Sequence, residues 1–119
     1  MNVTIREHVA VPTKAWRSIV VEVEEPPWRP SFFGTLPSSA EVRRSLDIKS
    51  RLRSTVNKIA EEVGVPRRHT RVRRYTGYVF VCQGEDREGK MESAMKLARK
   101  HVSRLRSWLL RRIHVDHDV

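Results

Sequence analysis

Alternating apolar and polar residues predict two strands at the start of the chain. Valine and isoleucine fall on odd positions over residues 2–11, with an interruption at Glu7 and His8, and the same pattern returns over residues 16–24. A period of two is typical of a strand with one buried face. The Pro-Thr-Lys stretch at residues 12–14 has the composition of a turn. The sequence therefore predicts an antiparallel hairpin.

A helical period replaces this alternation after residue 37. Ser38 and Glu41 have the spacing of a capping box, and Gly64 followed by Pro66 is typical of a helix end. Between these signals the apolar residues have helical spacing and form a single stripe, which consists of Val42, Leu46, Leu52, Val56, Ile59 and Val63. A stripe of this kind predicts an amphipathic helix packed against a core.

Two further elements complete the predicted fold. Residues 67–83 predict one long strand, and residues 78–82 within it are apolar on both faces, as in a strand covered on both sides. A final helix is predicted from about residue 87 to about residue 113, and a frayed tail follows it. The apolar residues of this helix form a heptad-like seam, which consists of Met91, Met95, Ala98, Val102, Leu105 and Leu109. The order ββαβα predicts a single α+β domain, in which two long helices pack on a small antiparallel sheet.

The net charge of +10 indicates the class of partner. Residues 38–119 carry the whole excess, because residues 1–37 hold four basic and four acidic side chains. Arginine outnumbers lysine by eighteen to six, and a guanidinium group matches phosphate geometry and stacks on bases. A thermophilic bias, which the low Asn and Gln content fits, favours arginine over lysine but does not create a net charge. The charge therefore predicts a polyanionic partner.

Several classes of protein are excluded or disfavoured by the composition. The single cysteine, Cys82, excludes an intrachain disulfide and suits a reducing compartment. The chain has no window of 18 apolar residues, and its first residues do not resemble a signal peptide. We therefore expect a cytoplasmic protein without a membrane partner.

Catalytic signatures are sparse. The sequence has no GxGxxG or P-loop at a strand-to-helix turn and no recognisable nucleophile–base pair, so we expect a non-enzyme without a cofactor or metal. One alternative stays open: a small metal-dependent nuclease would use the acidic and histidine side chains of the tail, which are His114, Asp116, His117 and Asp118.

The stretch RVRRYTGY, residues 71–78, has the composition of a site for single-stranded nucleic acid. Such sites combine cations along the backbone with flat rings under the bases. Strand alternation predicts that Arg71, Arg73 and Tyr75 share one face, that Gly77 leaves room for a close approach, and that Arg74 lies on the other face. The alternative is an edge strand whose arginines only deter aggregation. Further basic candidates lie off the apolar stripe of the first predicted helix, at Arg43 and Arg44.

The segment EEPPWRPSFFGTLP, residues 24–37, contains four prolines and three large aromatic residues. Prolines exclude a helix or a central strand there and stiffen the loop. A stiff loop loses little entropy on binding, so Trp28 and Arg29, with Phe32 or Phe33, are candidates for a stacking cleft beside the basic strand. In the alternative interpretation, the two phenylalanines fold back onto the core.

Assembly is predicted from the last helix. Its seam already supplies one apolar stripe for the sheet, and Trp108 and Leu110 fall outside that stripe. An exposed Trp–Leu patch favours association. We therefore expect a homo-oligomer, a dimer or tetramer, with an interface formed by Leu105, Trp108, Leu109 and Leu110.

This combination of an arginine-rich chain, a strand, an aromatic loop, a helix, a basic strand and a zipper-like last helix resembles the ThermoDBP-related proteins, which bind single-stranded DNA in hyperthermophilic archaea. The resemblance covers the whole chain. It implies a binding part at residues 1–85, with a hydrophobic and basic-edged cleft, and an assembly part at residues 86–119 of the same domain. The resulting hypothesis is a sequence-tolerant single-stranded-DNA-binding protein, and the alternative binder is an RNA-binding or chromatin-type duplex-binding protein.

Overall fold

The computed structural model describes residues 2–9, 16–24 and 39–117, with side chains described over 42–111 of the last range. It shows an α+β fold, as predicted, in which a four-stranded antiparallel sheet packs against two long helices. The elements in chain order are β1 (Val3–Val9), β2 (Trp16–Val23), α1 (Ser39–Val63), a 3₁₀ turn (Arg67–His69), β3 (Thr70–Arg73), β4 (Thr76–Gln83) and α2 (Lys90–His117).

The sheet has the order β1-β2-β4-β3, and each neighbouring pair of strands is antiparallel. The predicted N-terminal hairpin is confirmed: Val3 pairs with Val23 at one end of the ladder, and Val9 pairs with Arg17 at the other. The predicted turn at residues 12–14 lies outside the described residues. Because β2 pairs with β4, the first hairpin is joined edge to edge with a second one.

That second hairpin corrects the prediction of one long strand over residues 67–83. The chain reverses at Arg74 and Tyr75, so Arg73 pairs with Thr76 and the element order is ββαββα. Arg74 has a φ of 55°, which suits the mirror-image turns of two-residue hairpins. Asn-Gly and similar pairs normally mark such a turn, and the Arg-Tyr pair here gives no such signal.

Both helices pack on one face of the sheet. Ile19, Val21 and Val23 of β2 and Val79 and Val81 of β4 join the helices in one buried core. The predicted seam of α2 is confirmed, because Met91, Ala98, Val102, Leu105 and Leu109 are buried in this core and Met95 packs against it. The helix thus belongs to the fold of the domain itself.

Close contact between α1 and the sheet depends on Gly77. A Cβ atom at this position would lie 2.5 Å from Cγ1 of Val56 and 3.3 Å from Cδ1 of Leu52. The space beside Gly77 is therefore filled by α1, and the prediction that it admits a ligand is wrong.

The ends of the helices follow the sequence signals only in part. Gly64, with a φ of 88°, donates its N–H to Ala60 O at the end of α1, as predicted. The capping box of Ser38 and Glu41 lies outside the described side chains. Val42 and Leu46 of the predicted stripe are 43% and 60% exposed, and Ile48 is buried instead.

The second helix begins at a carboxylate cap and runs beyond its predicted end. Both carboxylate oxygens of Asp86 accept backbone N–H groups of the first turn, from Lys90 at 2.9 Å and Met91 at 3.0 Å. The helix continues to His117, so the prediction of a frayed tail from residue 114 is wrong for the backbone. Within the described part of the chain, neither helix is long and apolar enough to cross a membrane.

Candidate nucleic-acid interface

The sheet face opposite the helices is called the open face below. Strand alternation, the register of the four strands and the contact of Trp16 with Phe80 place on it Thr4, Arg6, His8, Trp16, Ser18, Val20, Glu22, Arg71, Arg73, Thr76, Tyr78 and Phe80. Among the described elements, none packs over this face as α1 and α2 pack over the other. Ser18 and Val20 on this face are only 1% and 0% exposed, so the surface that it offers to a ligand lies at the other positions.

Aromatic side chains form a row along the centre of the open face. The rings of Tyr78 and Phe80 are stacked, with centroids 6.3 Å apart and planes inclined by 9°. Trp16 meets Phe80 edge to face at 6.0 Å and His69 at 5.3 Å. Trp16, Tyr78 and Phe80, called the aromatic row below, are half-buried, so each residue is partly exposed.

Arginines flank this row on both sides. Arg71 pairs with Tyr78 across the β3–β4 ladder, and Arg6 lies in the same cross-strand row, beyond the buried Val20. Arg73 pairs with Thr76 in the next row. All three arginines are exposed, and within the described part of the chain none forms an ion pair. Their charges are therefore available to an anionic ligand.

The basic surface continues along the β3 edge of the sheet. Its exposed members, called the basic edge below, are Arg67, Arg68, Arg71, Arg73 and Arg74. The 3₁₀ turn, a strand of four residues and the hairpin turn carry these five arginines in succession. Because β3 lies beside β4, the basic edge runs next to the aromatic row.

No protein-family profile, curated protein or solved structure matches this chain. The resemblance to the ThermoDBP-related proteins therefore stays a prediction.

Tyr75 is not placed where alternation predicted it. It lies in the hairpin turn and is only 8% exposed, and its hydroxyl is 2.7 Å from Ser45 Oγ. The Lys49 ammonium lies 5.7 Å from the centre of the ring. The prediction that Tyr75 shares a strand face with Arg71 and Arg73 is wrong, because the chain reverses between them. Its ring joins the core and is not an exposed stacking surface.

The other predicted binding residues have different positions. Arg43 is exposed and Arg44 half-buried, and both belong to α1, which packs on the sheet face opposite the aromatic row. The structure therefore does not bring them to the open face. Trp28, Arg29, Phe32 and Phe33 lie outside the described residues, and their role stays a prediction.

The predicted oligomer interface is divided between core and surface. Leu105 and Leu109 are buried in the core of the chain itself and are not available to a partner. Trp108 is half-buried, with the Arg51 guanidinium 5.7 Å from its ring centre. Leu110 is 55% exposed. Of the four predicted interface residues, Leu110 is the most exposed.

Reactive groups are few in the described part of the chain. Burial raises the pKa of the Cys82 thiol above its usual value, and the nearby Asp86 carboxylate raises it further, while Arg17 and Lys90 oppose this shift. The thiol is therefore protonated at neutral pH and a weak nucleophile. Among the described residues, no three His, Cys, Asp or Glu side chains are grouped as a metal site. The tail side chains of the nuclease alternative lie outside that set.

The aromatic row is the feature that sequence reasoning missed. The sequence pattern predicts only a strand covered on both sides for Tyr78 and Phe80, and only a strand for Trp16. The available signal was the alternation within β4 itself: its aromatic residues fall on even positions, whereas Val79 and Val81 fall on odd ones. An aromatic face opposite an aliphatic face is consistent with a sheet whose aliphatic face lies in the core and whose aromatic face has a different role.

Proposed function

We propose that this protein binds single-stranded DNA across the open face of its sheet, with little base preference and without enzymatic activity. The observation that carries the proposal is the pairing of Arg71 with Tyr78, beside the stacked ring of Phe80. It provides a flat ring for a base and a cation for a phosphate on neighbouring strands. Proteins that bind single strands without sequence preference use these two contacts together.

Unpaired bases fit this surface better than a duplex does. In a duplex each base is stacked on its neighbours, so its flat faces are not available to Trp16, Tyr78 or Phe80. In a single strand the bases are free to turn towards the rings while the phosphates follow the basic edge. The basic edge holds five of the twenty basic side chains of residues 38–119, the part of the chain that carries the excess charge.

RNA is the second candidate partner, and one observation favours it. A four-stranded sheet whose aromatic side chains stack two or three bases is a common surface for single-stranded RNA. The likeness is one of surface chemistry alone. Stacking rings and guanidinium groups contact features that both nucleic acids share, so the two partners must be separated by experiment.

A competition assay tests the proposal. A fluorescently labelled oligothymidylate is bound to the protein, and its anisotropy is followed while unlabelled oligothymidylate, oligouridylate or a blunt DNA duplex is added. We expect the two single strands to compete better than the duplex, with the DNA strand the stronger competitor. Stronger competition by the uridylate would assign the protein to RNA, and stronger competition by the duplex would favour the chromatin-type alternative. If the oligothymidylate does not bind at all, the proposal is wrong.

The proposal includes a cytoplasmic homo-oligomer, a dimer or tetramer, with α2 at the interface. The exposure of Leu110, on the same helix as the half-buried Trp108, supports this arrangement. Several basic edges in one assembly would bind a long strand with greater avidity than a single chain does.

A further inference from the structure

Glu22 is the exception to the chemistry of the open face. It is exposed, it is the only carboxylate at the paired strand positions assigned to this face above, and it forms no ion pair with any described residue. A carboxylate repels phosphate groups. Its presence on a surface that otherwise suits a polyanion therefore calls for a contact with a part of the ligand that is not phosphate.

The register places Glu22 beside Thr76, the position next to the aromatic row on β4. One face of the Tyr78 ring is turned to Phe80, so the other is turned towards Thr76, the next residue on the same side of β4. Thr76 pairs with Glu22 on one neighbouring strand and with Arg73 on the other. Strands lie about 4.8 Å apart, so the backbones of Glu22 and Arg73 are separated by about 10 Å.

A nucleobase fits this arrangement in one orientation. Stacked on the face of Tyr78 that is turned away from Phe80, it lies over the small side chain of Thr76. Its sugar and phosphate then point towards the cation, Arg73, and its outer edge points towards the carboxylate, Glu22. Diagonal neighbours on a sheet are within reach of long and aromatic side chains, and Glu22 and Tyr78 are such neighbours.

The chemistry of the four bases selects one of them. An ionised carboxylate only accepts hydrogen bonds, through two adjacent oxygens. Guanine presents two adjacent donors, N1–H and N2–H₂, which match those oxygens in a bidentate, charge-assisted contact. Cytosine and adenine each present one amino donor beside a ring nitrogen that accepts. Thymine presents one N–H between two carbonyl oxygens, so in these three bases an acceptor faces the second carboxylate oxygen.

We propose that Glu22 reads the Watson–Crick edge of a guanine stacked on Tyr78. The inference rests on the proposed function, and it adds a base preference at one position of an otherwise tolerant surface. Glu22 makes the carboxylate contact, Tyr78 supplies the stacking surface, and Arg73 orients the nucleotide through its phosphate.

Single-base substitution in an oligothymidylate tests this proposal. One central dG is compared with dA, dC, deoxyinosine and 7-deaza-dG in the anisotropy assay, and a single guanine per strand prevents quadruplex formation. We expect the dG strand to bind about fivefold or more tighter than oligothymidylate, the lower limit for a bidentate base contact. The 7-deaza-dG strand should bind like dG because its Watson–Crick edge is intact. The deoxyinosine strand should lose most of this gain in affinity because its base lacks the N2 amino group.

The substitution Glu22→Gln identifies the reading residue. It should remove the difference between the dG and thymidine strands, and it should tighten binding of oligothymidylate because one repulsive charge is gone. Glu61→Gln is the matched control, since Glu61 is an exposed carboxylate on α1 and changes the net charge equally. The Glu61→Gln control should slightly increase the affinity for both the dG strand and the thymidine strand, and it should keep the preference for dG.

The outcomes separate the two proposals. If all strands bind equally well to the unmodified protein, or if Glu22→Gln keeps the preference for dG, the base-reading proposal is overturned and the proposed function stands. A dG preference that deoxyinosine retains in full also overturns it, because the N2 amino group would then play no part. If none of the strands binds, the proposed function itself fails.

Discussion

Tyr78 and Phe80 lie two positions apart on β4, and their rings are nearly parallel, with centroids 6.3 Å apart. Trp16 closes one end of the pair by an edge-to-face contact with Phe80. The contacts hold three rings in a fixed order on the open face, so little side-chain entropy is lost when a base stacks on them.

Tyr78→Ala is expected to weaken binding of single-stranded DNA by about 1–3 kcal/mol, the usual range for the loss of a stacking ring. Tyr78→Phe keeps the ring and should retain most of the affinity. Anisotropy titrations measure both variants at a temperature at which circular dichroism shows them folded. Equal losses in the two variants would mean that the hydroxyl, and not the ring, makes the contact.

Arg71→Ala and Arg73→Ala are expected to lower the affinity and its dependence on salt. Each neutralised phosphate contributes about −0.7 to the slope of log K against log salt on a single strand, so each variant should flatten the slope by about that amount. Arg104→Ala removes an equal charge from an exposed site on α2 and is the control. If Arg104→Ala flattens the salt slope by the same amount, the slope depends on the net charge of the protein and not on the positions of Arg71 and Arg73.

Tyr75→Phe is expected to lower stability without changing binding. The variant loses the contact between the Tyr75 hydroxyl and Ser45 Oγ, which are 2.7 Å apart, at a cost of about 0.5–1.5 kcal/mol. Urea unfolding measures the loss, and anisotropy measures the affinity of the folded protein. Reduced affinity with unchanged stability would mean that the Tyr75 hydroxyl contacts the nucleic acid.

Gly77→Ala is expected to destabilise the fold by about 1–3 kcal/mol, the usual cost of overpacking a core. The added methyl group would overlap Val56, whose Cγ1 atom lies 2.5 Å from its position. A double-mutant cycle with Val56→Ala provides the control, because the smaller side chain leaves room for the methyl group. Additive losses in urea unfolding would show that the two positions do not contact each other.

Leu110→Glu is expected to shift a homo-oligomer towards the 13.9 kDa monomer in light scattering. Leu110 is 55% exposed, so its substitution should leave the unfolding midpoint of the dissociated chain nearly unchanged. Leu109→Glu is the contrasting variant, since Leu109 is buried in the core and its replacement should unfold the chain. A monomeric parent protein would contradict the prediction of assembly.

Local patterns in the sequence were sufficient for most elements. Period-two alternation located the first hairpin, and the Gly64-Val-Pro66 signal located the end of α1. The seam of α2 is buried as predicted. These features depend on residues a few positions apart, because the geometry of a helix or strand repeats over that distance.

The sequence by itself also determined the net charge and its concentration in residues 38–119, and hence the class of partner that we propose. Only the tertiary structure decided which side chains meet. The turn at Arg74 and Tyr75 moved one ring into the core, and the pairing of β2 with β4 brought Trp16 to Phe80, which is 64 positions later in the chain. Contacts between distant residues depend on the order of the strands and on which sheet face the helices cover. The periodicity of a single segment gives no information about either.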